Sequence, residues 1–492
     1  MNLKYIKREW FFNTKQDLLA GAVVGLALIP EAIAFSIIAG VDPKVGLYTS
    51  FIIAVLTAFL GGRPASISAA TGAMALLMID LVKDQGDQGL QYLLAATFLT
   101  GIIQVIFGVL KLGRQMKYVP RAVMIGYINA LAVLIFLAQL PQLTNVPVMV
   151  YILTLLSLAI IYILPRFTQV VPSPLVALAV MTIAAIALKL EVPTVGDMGE
   201  LPTTLPLFAL PQVPFNLETL KIILPYSLTM AIVGLLASFL TAALVDDLTD
   251  TPSDKNQEAK GQGIANMVTA FFGGMAGCGM IGQSVINVQS GGRGRLSTLA
   301  SGIFLLFAIL VLQDWVSQMP MAALVAVMIM VSIGTFRWSS FKNVSRIPRT
   351  ETAVMLTTMF VTIFTRNFAL GVATGIVMST VFFSRKIAQL VFVDKTLRND
   401  GTHRIYKVAG QIFFLSKEEF LRAFDFRELV ERVTIDLTHA HLWDQGAVET
   451  VDKAVGKFRR NGAEVELIGL NAASATLFNR LAINKESTVI EN

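Results

Sequence analysis

The run Gly279-Met280-Ile281-Gly282-Gln283-Ser284 interrupts an apolar stretch with glycines and small polar residues. Backbone can leave a helix at membrane depth only where protein or a water-filled cavity satisfies its N–H and C=O groups. Apolar segments broken in this way are the best sequence pointer to a transport site. The stretch that contains it, Val245 to Gly302, therefore reads as half of a solute site; a polar run from Asp246 to Lys260 opens it, and Arg293 and Arg295 close it. The second residue with chemistry to offer is Glu31, just after Pro30 and mid-way along the first apolar run. An intramembrane carboxylate is costly and points to function. Beside an anionic ligand it repels unless it carries a proton, which makes it a candidate for proton coupling. The competing reading is that Pro30 breaks the helix and Glu31 caps the second piece near water.

Those residues need elements to hold them, and the composition says which. Of 492 residues, 55% are hydrophobic and 15% charged, with a mean hydropathy of +0.67. A soluble chain would carry roughly 25% charged residues. Fourteen apolar segments approach the ~20 residues that cross a bilayer: about 17–39, 45–61, 66–83, 91–112, 121–138, 148–164, 172–189, 218–246, 259–278, 281–290, 296–313, 318–334, 350–365 and 368–391. The first sixteen residues are polar and read as a cytoplasmic N-terminal segment, with no cleavable signal. With this count, twenty basic residues fall on the side of the N-terminus, Lys4, Lys7, Arg8, Arg63, Arg114 and Lys117 among them; only Lys44, Lys83, Lys189, Lys221 and Arg366 fall on the other. Excess Lys and Arg marks the cytoplasmic side, so both termini are expected there, in a multi-pass protein of the cell (inner) membrane. The net charge of +6 reports this orientation and gives no reason to expect a nucleic-acid partner.

The third segment is short and polar at its start (Ser66, Ser68, Thr71, Gly72), and the tenth is shorter still. They occupy corresponding places in two sets of seven, which suggests a 7+7 repeat whose odd length inverts the second copy. The lone cysteine, Cys278, excludes an internal disulfide. All histidines (His403, His439, His441) lie in the last ninety residues, so none can relay protons within the membrane segments. No ATP-binding P-loop or metal motif is present, and neither enzymatic activity nor a cofactor is expected. Asp246, Asp247 and Asp250 read as solvated or capping, and Arg293 and Arg295 as cytoplasmic anchors. Phe11 and Phe12 read as interfacial, Asn266 and Asn287 as hydrogen-bonding between helices, and Cys278 as small apolar filler.

Near residue 392 charges become frequent and periods shorten. Arg404–Val408, Gln411–Leu415, Val433–Leu437 and Glu464–Leu470 read as strands. Lys417–Phe424, Asp444–Arg460 and Ala472–Leu481 read as helices, the last capped by Asn471. The second of these puts Val448, Val451, Val455 and Phe458 on one face. Residues 393–492 thus form a small soluble α/β domain.

Three ordered matches carry a family resemblance. They are Ile29-Pro30-Glu31-Ala32-Ile33-Ala34-Phe35 with Gly46-Leu47-Tyr48; then Asn256-Gln257-Glu258 through Asn287-Val288-Gln289-Ser290-Gly291-Gly292-Arg293; then Asp436-Leu437, Leu442-Trp443-Asp444 and Asn471-Ala472-Ala473-Ser474-Ala475. The chain resembles a SulP-type anion transporter with a C-terminal STAS domain. The resemblance implies an all-α polytopic membrane domain (17–391) with the fold of nucleobase transporters: a mobile core (about 17–112 and 218–313) against a gate (about 120–190 and 318–391). In that fold the third and tenth segments are half-helices preceded by short extended segments, with their N-termini facing. It implies a homodimer as well. Vertebrate relatives often carry arginine where this chain has Gln283, and many bacterial relatives carry glutamate where it has Ala237. Switchable STAS domains present Ser or Thr where this one has Asp444-Gln445-Gly446-Ala447.

Facing helix N-termini bind an anion without a cation, because each offers unsatisfied N–H groups and about half a positive charge. Here they are expected at Ala70-Thr71-Gly72-Ala73 and Gly282-Gln283-Ser284. Thr71, Gln283 and Ser284 can donate hydrogen bonds, and the glycines let a ligand approach the backbone. The competing reading is that these small residues only allow close helix packing. The expected function is secondary active transport of a small anion (sulfate, bicarbonate or a dicarboxylate) by alternating access, coupled to a proton through Glu31 or to sodium. The alternatives are a nucleobase permease of the same fold and a membrane-anchored STAS regulator.

Overall fold

The computed structural model describes residues 9–113, 119–167, 172–398, 401–482 and 489–490. Half of the polar N-terminal segment, with Lys4, Lys7 and Arg8, lies outside them, as do Arg114 and Lys117. The chain divides into two compact units, Met1–Ile376 and Val377–Asn492, described separately below.

Each of the fourteen apolar segments contains a helix: α1 (Thr14–Ala39), α2 (Pro43–Leu60), α3 (Gly72–Asp84), α4 (Gly89–Val109), α5 (Arg121–Gln139), α6 (Val148–Ile163), α7 (Ser173–Ala187), α8 (Leu217–Thr249), α9 (Lys255–Phe271), α10 (Ile281–Gln289), α11 (Arg295–Val311), α12 (Met321–Thr335), α13 (Arg349–Thr365) and α14 (Phe368–Ala388). Among the described residues, seven helices are long and apolar enough to cross a membrane, those built around α1, α2, α4, α5, α6, α8 and α14. Two short strands, β1 (Ser68–Ala70) and β2 (Gly277–Gly279), precede α3 and α10. The ninth segment departs from expectation: its helix ends at Phe271, not Cys278. Gly273 takes a left-handed φ of 74°, which a β-carbon disfavours, and the turn delivers the apolar residues Met275 to Cys278 to an extended path.

Small residues set the helix pairs. A β-carbon on Gly101 of α4 would come within 2.5 Å of the Gly263 carbonyl of α9, and one on Gly263 within 2.6 Å of the Gly101 carbonyl. Gly21 and Gly25 of α1 lie as close to the Ser297 and Ser301 carbonyls of α11. In this way α1–α4 interlock with α8–α11. A second group forms where α5 packs on α12 and α13 and α6 on α7 and α12, with Gly126 of α5 against the Met355 carbonyl of α13.

One end of the first group is stapled by charge. Arg63, its side chain 4% exposed, pairs with Asp246 at 3.3 Å and bonds Thr249 and Thr251. Lys255 also holds Asp246, at 2.5 Å. Glu258 accepts from the Gly62 and Arg63 N–H groups at 2.7 and 3.2 Å. Burial pulls the Arg63 pKa below its ordinary value, opposed by the carboxylates of Asp246, Glu258 and Glu9. Arg295 is buried too, bonding Glu9 at 2.6 Å and the Ala58 and Gly61 carbonyls, while Asp17 accepts from the Arg293 and Gly294 N–H groups. Asp246, half-buried, and Arg295, buried, are therefore held in one network; Asp246 is paired rather than freely solvated, and Arg295 does more than mark the cytoplasmic side. Breaking a buried pair from one side costs about 3–5 kcal/mol. Arg63→Met should accordingly lower the melting temperature in detergent by several degrees; an unchanged melt would mean the network contributes nothing to stability.

In the second unit the sheet order is β3 (Phe392–Arg398), β4 (His403–Ile412), β5 (Arg432–Leu442), β6 (Glu464–Ile468), β7 (Val489–Ile490), with β3 antiparallel to β4 and the rest parallel. The helices are α15 (Lys417–Arg422), α16 (Gln445–Arg460) and α17 (Ala472–Leu481). Val448, Val451, Val455 and Phe458 are buried in its core with Tyr406, Ile435 and Leu467. Asn471 caps α17 by accepting from the Ser474 N–H. Gln411–Leu415 is not a separate strand: β4 runs unbroken to Ile412, and a turn follows in which Ser416 caps Phe413. Asp444 accepts from the Ala447 N–H at 2.8 Å and the Phe414 N–H at 2.9 Å, so it serves as an N-cap where a switchable domain has its hydroxyl.

Candidate functional site

The sequences entering α3 and α10 are made of residues small enough for two backbones to touch. β1 and β2 pair antiparallel, Ser68 with Gly279, Ala69 with Cys278 and Ala70 with Gly277. α3 and α10 leave this ribbon from opposite ends, so their first-turn N–H groups point back toward it. A ribbon of three residues leaves unpaired backbone groups, and buried side chains take them up. Ser50 accepts from Ala70 at 3.2 Å, Ser238 from Gly279 at 2.9 Å and Asn266 from Gly277 at 2.9 Å. Asn266 also donates to Gln104 at 2.8 Å, and Asn287 to the Ala65 carbonyl and Ser297, the inter-helix bonding expected of both.

The two helix ends are not equivalent. Thr71 caps α3, its hydroxyl oxygen accepting from Met74 and lying 3.1 Å from the Cys278 sulfur. Ala70, Thr71, Gly72 and Ala73 are all buried, and a β-carbon on Gly72 would meet Ile135 of α5 at 2.8 Å and Phe35 of α1 at 2.9 Å. α10 has no side-chain cap. Gly282 is exposed, and a β-carbon there would meet nothing within 4 Å. Beside it Gln283 and Ser284 are buried. The Ser284 hydroxyl accepts from the Ile67 N–H at 2.8 Å, so it ties α10 to the strand entry and is not turned to the opening. The accessible half of the arrangement is the α10 end.

α1 runs through Pro30 without a break, so Glu31 caps nothing. It is buried, beside the side chain of Gln283. Phe35, one turn further, touches the Gly72 position. One face of α1 therefore spans both helix ends. From the second helix group comes Tyr127 of α5, a residue the sequence reading did not single out. Its ring stands edge-on to Phe368 at 5.5 Å. Its buried hydroxyl has no partner among the described residues. A cavity of about 420 Å³ lies between the two helix groups, lined by Ala34, Ile38, Leu76, Leu134, Gln139 and Met321, with Arg366 in its wall.

The chain matches the model of the sulfate permease family over residues 14–150 and 141–358 and that of the STAS domain over 395–492. It is 56% identical over 477 residues to "Putative sulfate transporter YbaR" of Bacillus subtilis (strain 168), covering 97% of this chain and 99% of that one. It is 28% identical over 411 residues to "Bicarbonate transporter BicA" of Picosynechococcus sp., covering 77% of this chain and 72% of that one. Among solved structures, the transmembrane domain of a cyanobacterial bicarbonate transporter BicA aligns with a TM-score of 0.66 at 27% identity, covering 75% of this chain and 98% of that one. The murine anion transporter Slc26a9 in an inward-facing state aligns with a TM-score of 0.82, over 99% of this chain and 90% of that one. At 16% identity, this last likeness speaks to the fold alone.

Proposed function

This chain belongs to the sulfate permease family, and on that premise we propose a site and a mechanism for it. It is a multi-pass membrane protein with a STAS domain, and a secondary transporter of a small anion rather than an enzyme. The proposed site is the opening at Gly282 and Gln283, completed by Thr71 and Gly72 across the ribbon and faced by Tyr127. The observation that carries this reading is the uncapped N-terminus of α10 beside open space. Such an end supplies backbone donors and a partial positive charge to an anion. α1–α4 with α8–α11 move as the core against α5–α7 with α12–α14, carrying the site between the two faces of the membrane. The fourteen-span inverted repeat belongs to this reading and is supported by matched packing, α4 against α8 and α9, and α11 against α1 and α2. So do the cytoplasmic placement of both termini, the homodimer, and a domain boundary near residue 392.

Uptake of labelled sulfate, bicarbonate, a dicarboxylate and uracil into proteoliposomes tests the function. Accumulation of an anion with no uracil uptake is expected; uracil uptake alone would replace this reading with a nucleobase permease. Because every proposed ligand contact precedes residue 390, a chain ending near residue 392 should retain measurable anion uptake. Complete loss in a truncated protein that still elutes as a single folded species would instead assign the STAS domain an obligatory part in the transport cycle.

A further inference from the structure

Resting on that reading of the site, we propose that the Gln283 carbonyl oxygen selects an anion that brings its own hydrogen. The class is a hydroxyl-bearing monoanion, such as bicarbonate or the half-protonated form of a dicarboxylate, in preference to sulfate. A glutamine side chain has two donors and one acceptor, and the acceptor takes only hydrogens. The Gln283 side chain stands beside Glu31. Its oxygen Oε1 is buried, in a residue 3% exposed, and has no partner among the described residues. The rest of the site is rich in donors: the uncapped N–H groups of α10, and the unpartnered hydroxyl of Tyr127, which can act either way. Donors hold the oxygens of any anion, whereas Oε1 can take from the ligand only a hydrogen that the ligand carries. Sulfate offers none and leaves it unpaired.

Charge points the same way. No lysine or arginine occurs in β1, β2 or the first turns of α3 and α10. The positive charge available is that of two helix ends, about one half each. With Glu31 protonated, that balances one negative charge, with a second left over on sulfate. A buried acceptor left unpaired lowers affinity about 5- to 150-fold, which is the discrimination expected here.

Nitrate separates hydrogen from charge, being a planar monoanion like bicarbonate but without the O–H. In proteoliposomes of the full-length wild-type protein at pH 8, uptake of labelled bicarbonate should resist competition, with nitrate and sulfate each needing at least five-fold higher concentrations than unlabelled bicarbonate to halve it. Gln283→Met removes the acceptor and should bring nitrate level with bicarbonate. Gln283→Arg, which replaces the acceptor with donors and adds charge, should move the preference toward sulfate. Equal competition by nitrate in the wild type overturns the proposal, as does a wild-type preference for sulfate; so does a Gln283→Met protein that keeps the wild-type ratio. In each of these the protein still transports anions, so the site reading survives. Wild-type liposomes that take up none of the three anions would overturn that reading itself. Thermal stabilisation of the detergent-purified wild type by each anion gives the same ranking without relying on a variant that folds.

Discussion

Gly282→Leu should fold as the wild type does and lose anion uptake by a hundred-fold or more. A β-carbon at this position meets no atom of the described residues within 4 Å, so the side chain enters open space. Leucine in place of glycine in a helix adds about 0.5–1 kcal/mol of stability, and the melting temperature should hold or rise. What the leucine fills is the space over the first turn of α10, where an anion would reach the backbone N–H groups. Gly72→Leu makes the contrast. There a β-carbon falls 2.8 Å from Ile135 and 2.9 Å from Phe35, and overpacking of that kind costs roughly 1–3 kcal/mol. It should lose both uptake and stability, because α5 must move aside. Stability and uptake measured together on the two variants separate a binding site from a packing contact. Normal transport by Gly282→Leu would show that the site lies elsewhere.

The sequence carried the helices because each must be long and apolar, and that is a local property. It carried α3 and α10 as exceptions because both are short and begin with small polar residues. Composition missed β2, which only the family resemblance implied, because Met275 to Cys278 is as apolar as the helix before it and only the left-handed turn at Gly273 redirects the chain. β3 escaped for the opposite reason: nearly all of Phe392–Arg398 is exposed, so no alternation marks it as a strand. Glu31 was legible as a carboxylate in the wrong solvent. That Glu31 and Gln283, each singled out for its own reason, stand side by side was not, since some 250 residues separate them. Tyr127 was hidden for a related reason. An aromatic ring in mid-span reads as packing, and nothing in the sequence shows that its hydroxyl is buried without a partner among the described residues. The network around Arg63 and Arg295 likewise joins the N-terminus of α1, the end of α2, the start of α9 and the start of α11. Basic residues counted only as markers of sidedness do not show which of them are buried.

Glu31→Gln should keep anion exchange and lose the response of net uptake to a proton gradient. The carboxylate stands at the site, in contact with the side chain that flanks the open helix end. Ionised, it opposes an entering anion and offsets the partial charge of α10; protonated, it does neither. Glutamine reproduces that protonated form in shape and acceptor. If one proton accompanies each anion, a gradient of one pH unit, acidic outside, supplies about 1.4 kcal/mol. That supports up to ten-fold accumulation of the anion in wild-type liposomes, and none in the variant, whose exchange of internal for external anion continues. Sodium coupling predicts a different pattern. Glu31 then stays charged to hold the cation, uptake follows a sodium gradient at fixed pH, and the variant loses that dependence. Each gradient is imposed separately on wild type and variant, with anion exchange as the control for folding. A variant that responds to both gradients as the wild type does would leave Glu31 as no more than the residue that orients Gln283, and coupling would have to be sought elsewhere in the core.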